Sequence, residues 1–284
     1  MNFESLMAAS QRLSVGLLVI LSLNACTAPP AGTAAGSETE RPAPSPIESM
    51  KAMKTIGVLG GLGPQATMDF EQRVHRAAQR VIPPHLNGGY PPMVVWYCRH
   101  PPVLLTEDGR PLLPLRADPR LLEAARRLGQ VADFLVIPSN TPHAVQPEIE
   151  RAAGRPVVSM VGATLDEVRR RGWKRVGVVA LGQPIFYTEP LGRLGVACET
   201  LDAPAGDALD RAIFRVMEGR EGAQDTAAAL AAVKQLRGRR VDGIILGCTE
   251  VPLLLGAAAD EDPDLLNPAE LLASAAVSAA MQSP

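Results

Sequence analysis

The chain has 284 residues and a formal net charge of −2, and 46% of its residues are apolar. That length and apolar content support two modest domains with a sizeable core. The charge balance argues against nucleic acid as the main partner, because a binder needs a basic excess or stripe. The run Arg169-Arg170-Arg171 reads instead as a solvated helix end, where cations suit the dipole. Four cysteines, at 26, 98, 198 and 248, show no CxxC pairing and no zinc-site spacing. A chain of this size does not need disulfide staples.

Residues 1–26 differ in kind from the rest. Ser14 to Ala25 is an apolar run of signal-peptide length, preceded by Arg12 and too short to span a bilayer. It ends in Leu23-Asn24-Ala25-Cys26, which resembles a bacterial lipobox and makes Cys26 the expected lipidation site of a cell-envelope or periplasmic lipoprotein. Residues 27–52 are rich in Pro, Ala, Ser, Thr and Gly and read as a flexible tether. The alternative is a true start at Met53-Lys54-Thr55-Ile56, which would leave the protein cytoplasmic.

From there strands and helices alternate. Thr55 to Leu59 is a β-rich run, followed by the loop Gly60-Gly61-Leu62-Gly63-Pro64 and a helix over Gln65 to Arg80. Met93 to Tyr97 is the second strand, and Pro119 to Gln130 is a helix with Asp118 as its N-cap. Phe134 to Ile137 is a third strand, buried on both faces by its unbroken apolarity. Pro142 to Ala153 is helical and Val157 to Met160 is a short strand. The pattern then restarts, with a helix at Val161 to Arg171 and strands at Val176 to Ala180, Ala197 to Leu201 and Gly243 to Leu246. Helices cover Asp207 to Met217, Gln224 to Leu236 and Pro268 to Met281, the last after Asn267. This alternation predicts two similar α/β domains with parallel sheets, 53–160 and 161–267; residues 268–284 are expected to pack on the first.

The loop Gly61 to Ala66 satisfies a relaxed GxGxxA pattern between strand and helix. A dinucleotide site needs an acid at the end of the next strand, and Trp96-Tyr97-Cys98-Arg99-His100 supplies none. A small-anion site at the helix N-terminus and a plain tight turn are the other two readings. Two further strand ends stand out: Phe134 onward gives FLVIPSNTPHAV, and Gly243 onward gives GIILGCTEVPLL. Ligands gather at the carboxyl ends of strands in open α/β sheets, so Ser139 and Cys248 could meet in one cleft.

The segments MKTIGVLGGLGPQAT, VIPSNTPHA and LGCTEVPLL together resemble the aspartate/glutamate racemase superfamily, closest to its aspartate racemase branch. The similarity runs from about Met53 to the C-terminus. It implies two α/β domains related by pseudo-twofold symmetry, with the active site between them. It also implies a homodimer and no cofactor, neither pyridoxal phosphate nor metal. Two cysteines are expected to face the substrate α-carbon, one taking a proton as thiolate and the other returning one. On this resemblance Cys248 and Ser139 are the catalytic positions. Gly61, Gly63, Asn140, Thr141, Thr249 and Glu250 bind a small carboxylate substrate. Donors of this kind stabilise the enolate-like charge of a carbon acid beside a carboxylate. The strand-to-helix position of Cys248 is expected to lower its thiol pKa.

Two departures bear on the activity. Serine at 139 has no accessible anion near neutral pH and cannot replace a thiolate base. His143, four residues on, reads as a helix-face histidine rather than its assistant, and Cys98 reads as a small buried hydrophobe. The arginine-bearing motif of aspartate racemases is eroded in the segment Tyr97 to Leu104, where Arg99 is the remaining charge. Three functions follow: an isomerase or racemase working through Cys248, a one-cysteine decarboxylase of the same superfamily, or a tethered small-acid binding protein without turnover.

Overall fold

The computed structural model describes residues 53–82, 90–107 and 111–282. The apolar N-terminal run, Cys26 and the Pro/Ala-rich tether lie outside the described residues. The first lobe contains β1 (Ile56–Gly60), α1 (Pro64–Val81), β2 (Met93–Tyr97), α2 (Pro119–Gly129), β3 (Phe134–Val136), a 3₁₀ turn (Thr141–Val145), α3 (Gln146–Ala153) and β4 (Val157–Val158). The second contains α4 (Met160–Arg171), β5 (Arg175–Val179), α5 (Ile185–Arg193), β6 (Ala197–Glu199), α6 (Ala203–Met217), α7 (Ala223–Arg237), β7 (Gly243–Leu246), α8 (Val251–Leu255), α9 (Ala258–Glu261) and β8 (Leu265–Leu266). The closing helix α10 (Pro268–Met281) returns to pack against α1 and α4.

Each lobe holds a four-stranded sheet whose pairings are all parallel. The orders are β2-β1-β3-β4 and β6-β5-β7-β8, so the second sheet repeats the first strand for strand. Both faces of the central strands are covered, as parallel sheets require. In β1 and β3, Ile56, Val58, Phe134 and Val136 face the layer of α1 and α10, while Leu59 and Leu135 face that of α2 and α3. In β7, Ile244 and Leu246 face α6 and α7, while Ile245 meets α4 and α5. This two-sided burial explains why the strands read as unbroken apolar runs rather than alternating ones.

Helix ends follow local chemistry. Asp118 accepts from the Arg120 N–H at 2.8 Å, Ser159 from Gly162 at 3.1 Å, and Asn267 from Ala269 at 3.1 Å. The arginines closing α4 pair with Asp166 and Glu167 on their own helix. Several elements differ from the sequence expectation. The continuous helix foreseen from Pro142 begins instead as the 3₁₀ turn, and the α-helix starts only at Gln146. Pro147 has no N–H to donate to the preceding turn, so the α-helical ladder begins there. The fourth strand stops at Val158, because Ser159 turns to cap α4. Helix α5 escaped sequence reading altogether, since Pro184 and Pro190 conceal its pattern.

Candidate active site

The two quoted strand ends do meet. A cleft of about 60 Å3 is lined from the first lobe by Leu62, Gly63, Ser139, Asn140 and Thr141. The second lobe contributes Leu181, Phe186, Met217, Gly247, Cys248, Thr249 and Glu250. β3 and β7, the equivalent strands of the two sheets, thus deliver Ser139 and Cys248 to one space.

Cys248 is almost wholly buried. Its thiol donates to Glu250 Oε2 at 3.0 Å, and the Thr249 hydroxyl donates to the same oxygen at 3.1 Å. Burial and the adjacent carboxylate push the Cys248 thiol well above its ordinary range. Backbone N–H groups of Glu250 and Leu181 oppose this but do not offset it. The expectation of a lowered thiol pKa is therefore reversed. α8 begins only at Val251 and is five residues long, so its field is weak beside a carboxylate in contact. Burial likewise raises Glu250. Cys248 is therefore held as a thiol, hydrogen-bonded to the Glu250 carboxyl.

The opposite wall centres on Asn140. Tyr187, fully buried on α5, donates its hydroxyl to Asn140 Oδ1 at 2.8 Å and lies 3.3 Å from Thr164 Oγ1. Thr164 in turn donates to the Met160 carbonyl at 2.8 Å. These contacts tie the second lobe to the first and fix the orientation of the amide. Asn140 Nδ2 is left buried, with no partner among the described residues. Such a donor is costly unless a ligand satisfies it.

The glycine loop splits in two. Gly61 has a left-handed backbone (φ +78), and its N–H is already donated to Thr67 Oγ1 at 2.8 Å. A Cβ there would lie 2.6 Å from Tyr97 Cα, so Gly61 serves the turn against β2 and is not among the residues lining the cleft. Gly63 does line it, and a Cβ there would sit 2.1 Å from Glu250 Oε1. The loop thus brings backbone against the Glu250 carboxyl.

His143 does not reach the Ser139 hydroxyl. Its Nδ1–H donates to the Ser139 carbonyl at 2.9 Å, and Nε2 accepts from the Met160 N–H at 3.0 Å. Both ring nitrogens are used, and burial lowers the imidazole to about 4. It is a neutral strut that fixes the Ser139 backbone to the start of α4. Arg99 is exposed and stacks on the Tyr97 ring, 5.0 Å from its centroid, away from the cleft. Cys98 is buried beside α2, and burial with the nearby Asp118 raises it to about 11. Cys198 packs against the second-lobe core.

Sequence reasoning missed Tyr187, Phe186, Leu181 and Met217. The first two sit on the helix that prolines concealed, and nothing local marks the others as cleft residues.

The fold and cleft define a two-lobed α/β protein with a buried thiol facing hydrogen-bond donors between equivalent strand ends. Residues 59–276 match the profile of the Asp/Glu/Hydantoin racemase family, and the chain belongs to that family. It is 25% identical over 226 residues to the broad specificity amino-acid racemase RacX of Bacillus subtilis (strain 168), covering 78% of this chain and 96% of that one. Its fold resembles that of an aspartate racemase homologue from Pyrococcus horikoshii OT3, with a TM-score of 0.63 and 22% identity over 81% of this chain and all of that one. The aspartate racemase of Picrophilus torridus is also similar, with a TM-score of 0.59 and 18% identity over 80% of this chain and 94% of that one. The racemase relatives place the chain among isomerase-type enzymes.

Proposed function

We propose that the protein is a cofactor-independent, racemase-like enzyme that moves a proton at a carbon next to a carboxylate, with Cys248 as its acid/base. The observation that carries this is the Cys248–Glu250 contact at 3.0 Å, opposite an unpartnered Asn140 amide in the same small cleft. Substrate carboxylate on Asn140 Nδ2, with the Thr141 hydroxyl nearby, is held by neutral donors that also stabilise enolate charge. The Cys248 proton passes to Glu250 Oε2, and the resulting thiolate takes the proton from the α-carbon. Once the proton now on Cys248 has exchanged with water, reversal of the same two transfers returns a solvent-derived proton to the same face.

Inversion needs a donor on the far face, where Ser139 replaces the usual thiol. Its hydroxyl relays a proton from water far less readily than a thiol gives one. α-Proton exchange with retention therefore outpaces racemisation. The similarity to a broad specificity racemase supports an amino acid as substrate.

The test is incubation of the purified protein with L-amino acids in deuterium oxide. Loss of the α-proton signal is read by NMR and enantiomer ratio by chiral chromatography. Exchange faster than inversion, abolished in Cys248→Ala, is expected. Exchange that survives Cys248→Ala, or inversion as fast as exchange, would rule the mechanism out.

A further inference from the structure

Two buried polar atoms in the cleft lack partners among the described residues, and they are of opposite kind. Asn140 Nδ2 is a donor and Glu250 Oε1 is an acceptor; their residues are 4% and 2% exposed. An unmatched buried donor and acceptor lining one cleft are together complementary to a zwitterion, whose carboxylate accepts and whose ammonium donates. Gly63 lets Glu250 Oε1 occupy this position in the cleft, since a Cβ there would lie 2.1 Å from that oxygen.

Beside the neutral polar groups of Ser139, Thr141, Cys248 and Thr249, the lining carries four apolar side chains, Leu62, Leu181, Phe186 and Met217, and no arginine, lysine or histidine among the described residues. Among the described residues, the sole formally charged group on that lining is the Glu250 carboxyl. A second carboxylate on the substrate would enter this cleft without a cation and against a carboxyl already there, which is strongly unfavourable.

From this pairing we infer that the cleft takes an α-amino monocarboxylic acid with an uncharged, apolar side chain, and that it discriminates against aspartate and glutamate. Glu250 holds the α-ammonium through Oε1, Asn140 holds the α-carboxylate, and the Leu62–Leu181–Phe186–Met217 wall holds the side chain. This deepens the proton-transfer reading of the same cleft and rests on it.

The experiment measures binding and exchange separately on the native protein. Calorimetric titration compares L-leucine, L-methionine, L-aspartate, L-glutamate and 4-methylpentanoate, the last being leucine without its amine. The α-proton exchange of the four amino acids is followed in parallel in deuterium oxide. Leucine or methionine should bind at least tenfold more tightly than aspartate, glutamate and the amine-free acid. Met217→Arg, at a partly buried position, should move the preference at least tenfold towards aspartate; Leu181→Arg repeats the test should the first variant fail to fold. Equal or tighter binding of aspartate, equal binding of 4-methylpentanoate, or no binding of any of them overturns the inference. Selective leucine or methionine binding without exchange supports it while removing the proton-transfer reading.

Discussion

Tyr187→Phe isolates the inter-lobe contact that orients Asn140. The substitution removes one hydroxyl and keeps the ring, which packs fully buried in the second-lobe core. What is lost is the 2.8 Å bond to Asn140 Oδ1 and the 3.3 Å approach to Thr164 Oγ1. Asn140 would then carry a buried acceptor without a partner beside its already unpartnered Nδ2. Leaving one buried group unsatisfied costs about 1–3 kcal/mol. For a folded part of this size, about 2–4 °C of melting temperature is lost per kcal/mol, which gives a drop of roughly 2–12 °C. Stability alone does not establish a positioning role, so the kinetic split matters. An amide free to turn holds the substrate carboxylate less well, and KM for α-proton exchange should rise several-fold while the pH profile set by Cys248 and Glu250 stays in place. Calorimetric melting and exchange kinetics in deuterium oxide, normalised to folded protein, are the assays. A variant that melts with the native protein and exchanges with unchanged KM would refute the reasoning.

Glu250→Gln removes the charge that helps to raise Cys248. Alkylation by iodoacetamide, followed by peptide mass spectrometry, should be slow at Cys248 in the native protein at pH 7–8 and faster in the variant; an unchanged rate would show that burial alone raises the thiol. The same raised thiol, with Cys98 and Cys198 each pushed to about 11, makes the folded state hold protons that the unfolded chain releases near 8.5. That stabilisation is complete below about pH 8.5 and is lost as pH climbs towards the folded values, so urea midpoints should fall above about pH 9. His143 acts in the opposite window. Its folded value of about 4 lies below the unfolded 6.5, so its contribution is full above pH 6.5 and is lost as pH falls towards 4. His143→Gln should flatten that part of the acid limb of a stability curve. Phe186→Ala should admit bulkier apolar amino acids, because Phe186 borders both the cleft and a neighbouring groove of about 540 Å3 that also contains Leu113, Leu115 and Ile185. An unchanged side-chain size limit in the exchange assay would show that the two spaces remain separate.

The alternation of strand and helix, the helix starts at Asp118 and Asn267, and the likeness of two strand ends were legible in the amino-acid order alone. These are local properties: apolar runs fit strands buried on both faces, and Asp118 and Asn267 satisfy the first free N–H groups of the helices that follow them, whereas the cap at Ser159 was hidden inside an apparent strand. Motif likeness also brought Ser139, Asn140, Cys248 and Thr249 forward correctly as residues of one cleft. Only the tertiary structure decided their chemistry. Whether a thiol is acidic or reluctant depends on what is packed against it, and burial, with Glu250 in contact, reverses what position alone implied for Cys248. Gly61 and Gly63 lie two residues apart and look alike, but one amide is consumed by Thr67 while the other glycine makes room for a carboxyl oxygen. Tyr187 and Phe186 come from a proline-interrupted helix and Met217 from the last residue of α6, all distant in sequence from the motifs they complete. A cleft between lobes is built from long-range contacts, and a sequence read one window at a time carries no signal of them.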